Sequence, residues 1–102
     1  MNLPQQDLLQ LDLTISRDIM REKQILPYTT DEGAAARLRD RLELNGWSYY
    51  AYELPNGVRA VFSRGIGLSY AADAPTRPLA TVLAALKAHR IEKEPPPAGS
   101  RL

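Results

Sequence analysis

Between Pro27 and Arg90 the sequence alternates start and stop signals so closely that few folds are compatible with it. Thr29-Thr30-Asp31-Glu32 reads as a capping box, with Thr29 accepting from the amide near Glu32 while Glu32 reaches back. It predicts a helix start. Ala35, Leu38 and Leu42 form the buried stripe of that helix, and Asn45-Gly46 supplies the left-handed residue that ends it. Trp47 to Leu54 then carries Trp47 and Tyr49 on one face of a strand and Tyr50 and Tyr52 on the other.

Pro55-Asn56-Gly57 is a hairpin signal, because Asn and Gly tolerate the positive φ of tight antiparallel turns. In the returning strand Val58, Ala60 and Phe62 alternate with Arg59, Val61 and Ser63. Arg64-Gly65 makes a second turn, and Ile66, Leu68 and Tyr70 alternate with Gly67 and Ser69 in a third strand. Asp73-Ala74-Pro75-Thr76-Arg77-Pro78 reads as a loop into a last helix, with Thr76 as cap and Pro78 in the first turn, where its missing amide costs nothing. Leu79, Val82, Leu83 and Leu86 give that helix, which runs to about Ile91, its apolar stripe.

Upstream, Leu8, Leu11, Ile15 and Ile19 share one helical stripe and predict a helix over residues 5–22. Leu9, Leu11, Leu13 and Ile15 also alternate at the strand period, so the spacing alone leaves a strand open. The resulting order, α-α-β-β-β-α, defines an α+β fold: a three-stranded antiparallel β-meander packed with three helices. One domain over residues 1–91 and a disordered Pro-rich tail over residues 92–102 are expected, since Pro95-Pro96-Pro97 cannot continue a helix.

Composition narrows the function classes. A chain of 102 residues has room for one core and little for an enclosed substrate cavity. The formal net charge of +1 supplies no global field for nucleic acid or an anionic membrane, so such a role would need a local patch. With no cysteine there are no disulfides and no thiolate metal sites, and no apolar run approaches the ~20 residues that span a bilayer. A cytoplasmic protein without membrane contact, monomer or homodimer, is the expectation.

His89 is the single histidine, and no nucleophile, metal-ligand or calcium-loop spacing surrounds it, so no catalytic residue, metal or cofactor is expected. Arg64-Gly65-Ile66-Gly67 resembles a phosphate loop only superficially, because no helix N-terminus follows it. The aromatic strand is the stronger candidate. One of its faces must pack on the helices, and Trp47 after a helix cap suits that role. The other face, with Tyr50, Tyr52, Arg59 and Arg64, has the side chains that anchor a protein partner or stack on bases.

The α-β-β-β-α order from Thr30 to Ile91 coincides with that of double-stranded RNA-binding domains, which place a basic cluster at the start of the last helix. Here that position holds only Arg77. Three junctions resemble those of the small phage α-β-α sandwich domain family: Pro27-Tyr28-Thr29-Thr30-Asp31-Glu32-Gly33-Ala34-Ala35-Ala36, Asn45-Gly46-Trp47, and Ala72-Asp73-Ala74-Pro75 leading into Leu83-Ala84-Ala85-Leu86-Lys87. The resemblance covers residues 5–91, and Pro78 and the Arg64-Gly65-Ile66-Gly67 turn depart from it. It implies a phage or prophage protein in a bacterial host and transfers no catalytic residue. The expected function is non-catalytic binding of a macromolecule, a protein first, in its sharpest form inhibition of a host defence system. A nucleic-acid-binding module and a structural or assembly accessory are the alternatives.

Overall fold

The computed structural model describes residues 4–93, with side chains to Arg90. Its elements are α1 (Gln5–Thr14), a π-helical segment (Ile15–Met20), α2 (Glu32–Leu44), β1 (Ser48–Leu54), β2 (Gly57–Arg64), β3 (Leu68–Ala74) and α3 (Arg77–Lys93). The strands form one antiparallel sheet in the order β1-β2-β3. This is the expected α+β meander. The last helix runs to Lys93, two residues into the tail expected over residues 92–102, and the rest of that tail lies outside the described residues.

The helical reading of the first segment holds, with a change of pitch inside it. Leu8 and Leu11 pack partly against the core, and Ile15, Ser16, Ile19 and Met20 are all buried. The amides of Arg21 and Glu22 both donate to the Ser16 carbonyl, and Arg21 closes the segment in the left-handed region at φ 54°. The helix therefore ends at Met20 and not at residue 22.

The cap of α2 is also displaced. The amides of Thr30 and Asp31 both donate to the Pro27 carbonyl, and this turn delays the helix by two residues. Asp31 is then the cap, extended and accepting from the Ala34 amide at 2.8 Å, with Glu32 the first helical residue. Thr29 is instead buried, its amide donating to Asp12 Oδ1 at 2.8 Å, which ties α1 to the entry of α2. At the other end Asn45, Gly46 and Trp47 donate to the carbonyls of Leu42, Glu43 and Leu42, with Gly46 at φ 94°, so Asn45-Gly46 stops the helix as expected.

Strand register decides the rest. Tyr49 pairs with Phe62 and Phe62 with Tyr70, which puts this row on the helix side of the sheet together with Ala60, Ala72 and Ala74. α3 lies across β2 and β3, and α2 packs beside it. Ala80, Ala84, Ala85 and Ala88 of α3 are buried in the same core as Ala60, Ala72 and Ala74. Small side chains on both layers let helix and sheet approach closely around Phe62, which is wholly buried.

Two expectations about β2 and β3 change. The third strand starts at Leu68, and Ile66 sits at the tip of the turn, fully exposed, between Gly65 and Gly67 at positive φ. It runs on through Asp73 and Ala74, expected to be loop, because Arg59 and Val58 of β2 pair with them. Gly57 has no positive φ. A β-carbon there would lie 2.3 Å from the Ala74 carbonyl oxygen, so glycine is required by the approach of β3.

Candidate functional site

With all helices on one side, the opposite face of the sheet is bare among the described residues. By register it carries Ser48, Tyr50 and Tyr52 from β1, Arg59, Val61 and Ser63 from β2, and Ser69, Ala71 and Asp73 from β3. Tyr50 and Tyr52 are 54% and 43% exposed, far above the core aromatics, and their rings stack at 6.1 Å with an interplanar angle of 13°. Val61 of the central strand, opposite Tyr50, is nevertheless buried: the larger side chains around it close over it. The face therefore has an apolar floor and an aromatic wall.

A polar row crosses the same face. Tyr52, Arg59 and Asp73 are direct cross-strand neighbours. Arg59 Nε and Nη2 donate to the two Asp73 carboxylate oxygens at 2.6 and 2.8 Å, and Nη1 donates to the Tyr52 hydroxyl at 3.3 Å. The two-pronged geometry fixes the guanidinium plane against the sheet, with its carbon 6.0 Å from the Tyr52 ring centre. The hydrogen bonds from Arg59 hold the Asp73 carboxyl below its ordinary range, and those to Asp73 hold the Arg59 guanidinium above its own.

Because Asp73 titrates lower in the folded chain than in the unfolded one, the stabilisation from this pair is complete above the ordinary carboxylate range. It is lost as pH falls through the lower folded value. Asp73→Asn is therefore expected to lower the urea midpoint modestly at neutral pH, the difference from wild type closing on acidification. Urea melts of both proteins across acidic pH measure this.

The structure separates one expected member from the others. Arg64 has the same parity as Phe62 and lies on the helix side, its guanidinium 5.2 Å from the Trp47 ring centre. Trp47 is buried and meets Tyr70 edge-on, as the core role required. Tyr49, its strand neighbour, donates or accepts a hydroxyl hydrogen bond with Thr81 of α3 at 2.9 Å. Thus Tyr50, Tyr52 and Arg59 form one surface and Arg64 another. Asp73, which the sequence places in a loop, and Val61 also belong to the bare face, and neither is among the residues expected there. No local signal marks Asp73 as strand, since Ala71 and Ala72 break the polar–apolar alternation.

His89 is half-buried and lines a cavity of about 200 Å³ with Asp18, Ile19, Arg21, Leu42, Asn45 and Trp47. No hydroxyl or thiol nucleophile lines that cavity. Among the described residues no group of three or more His, Cys, Asp or Glu is placed to hold a metal ion, and no helix is long and apolar enough to cross a membrane. The fold and site together define a two-layer α+β domain with one bare sheet face. Comparison of the chain with family models, with curated proteins and with solved structures gives no match.

Proposed function

We propose that this protein is a non-catalytic binding module that docks a protein partner on the bare sheet face through Tyr50, Tyr52 and Arg59. The observation that carries the reading is the stacked, exposed tyrosine pair beside a buried Val61. Tyr and Arg dominate interface anchors, and here they are held rigid by each other, so little side-chain entropy is left to lose on docking. Asp73 supports a protein over a nucleic acid as the partner. It neutralises Arg59, the nearest cation on the face, and the tyrosines stack on one another where base recognition would need them apart. The resemblance to the phage sandwich family makes a bacterial host protein the partner, with inhibition of a defence system as the sharpest form.

The test is capture from bacterial lysate with wild type and with the double variant Tyr50→Ser/Tyr52→Ser. Loss of two anchors weakens a specific complex by roughly thirtyfold or more. The captured species should disappear with the variant while its denaturant melt stays cooperative. Equal capture by both proteins would refute the surface, and salt-sensitive retention of RNA by the wild type would move the reading to nucleic acid.

A further inference from the structure

We infer that the outer edge of β1 pairs antiparallel with β1 of a second copy about a two-fold axis at Ala51, giving a six-stranded sheet. The inference goes beyond the partner reading, and the side chains that decide it, Arg39 and Glu53, lie on the helix side of the sheet. The two edges of the sheet are unlike. At β3, Lys87 Nζ donates to the Ala71 carbonyl at 2.7 Å, and a charged side chain laid over an edge blocks strand addition. At β1, Ser48-Tyr49-Tyr50-Ala51-Tyr52-Glu53-Leu54 contains no proline and no lysine, and none of its seven residues is buried.

Parity restricts how two such strands can meet. Residues directly opposite in an antiparallel pair share a face, so a symmetric pairing must centre on a residue and never between two. Ala51 is the middle of the strand, and only that centre engages all seven positions. It sets Ser48 against Leu54, Tyr49 against Glu53 and Tyr50 against Tyr52 of the other copy, each contact occurring twice. Four tyrosines then run side by side along one continuous face.

The helix side is complementary in charge. Arg39 of α2 lies 5.3 Å from the Tyr49 ring centre, at the start of β1. Glu53, at the other end and on the same side of the sheet, is exposed and makes no ion pair among the described residues. Two-fold pairing brings the Glu53 of each copy beside the Tyr49 and Arg39 of the other. An isologous contact of this kind consumes both free edges and closes at two chains.

The chain has no cysteine, which makes the register directly testable. Opposed Cα atoms in an antiparallel pair are about 4.5–5.5 Å apart, within the span of a disulfide. Ala51→Cys should therefore form a linked dimer under mild oxidation, whereas Tyr50→Cys and Tyr52→Cys, each offset from its own copy, should not. Without cysteines, the sedimentation mass should rise with concentration from 11.4 kDa toward twice that value. Glu53→Arg should raise the dissociation constant roughly tenfold, since two attractive contacts become repulsive. Adding Arg39→Glu to it should restore dimerisation. A monomer at every concentration overturns the inference, as does linkage favouring position 50 or 52, or a double swap that does not restore the dimer. Arg39 and Glu53 are off the Tyr50–Tyr52 face, so this outcome and that of the partner test are independent.

Discussion

Replacing Phe62 by Ala is expected to lower the unfolding free energy by about 3–5 kcal/mol, a large fraction of the roughly 5–15 kcal/mol that holds such a domain together. Phe62 is wholly buried in the middle strand, paired with Tyr49 and Tyr70 across the sheet, with the Tyr49 ring 5.1 Å away. A close-packed core relaxes only in part, so a cavity term adds to the lost transfer energy. The comparison that gives this value meaning is Tyr50→Ser/Tyr52→Ser on the opposite face, expected to cost ~1 kcal/mol because both residues are already about half exposed. Urea melts of the two variants measure the asymmetry of the sheet. A similar loss in both would mean that the tyrosine face is covered in solution, and the docking surface would have to be withdrawn.

That asymmetry was legible in the sequence only in part. The alternation of Trp47 and Tyr49 against Tyr50 and Tyr52 states that the two sets face opposite ways, and Trp47 after a helix cap indicates which set is inward. Whether a second helix layer covers the outer set is a matter of tertiary packing, to which local spacing is blind. The same limit explains Asp73. Ala71-Ala72-Asp73-Ala74-Pro75 has the small, polar, Pro-containing composition of a loop, and only the pairing of β2 with these residues makes them strand. The π turn was hidden for a different reason. Ile15 and Ile19 fit an α-helical stripe, and the wider pitch shows only in the backbone bond from the Arg21 amide to the Ser16 carbonyl, which side-chain spacing does not encode. At the start of α2, Thr29 and Asp31 are both acceptable caps; the turn on the Pro27 carbonyl chooses the second.

Gly57 and Gly65 are expected to respond in different ways to substitution, because glycine is needed at each for a different reason. At Gly65, φ is 59° and a β-carbon would meet nothing within 4 Å, so the cost is conformational alone. Asn, which enters the left-handed region readily, should therefore be accepted there for less than about 1 kcal/mol. At Gly57 the backbone is ordinary, but a β-carbon would strike the Ala74 carbonyl oxygen at 2.3 Å. Main chain cannot rotate away as a side chain does, and relief requires β3 to part from β2 at the end where Arg59 meets Asp73. Gly57→Ala should cost about 1–3 kcal/mol, as overpacking does. It should also displace Asp73, leaving the Arg59 guanidinium without its carboxylate and Tyr52 without a fixed neighbour. Denaturant melts read the first effect, and the NMR signals of the Arg59 side chain read the second. If Gly57→Ala melts like wild type and keeps the Arg59–Asp73 contact, the close approach of β2 and β3 is not what positions the polar row of the docking face.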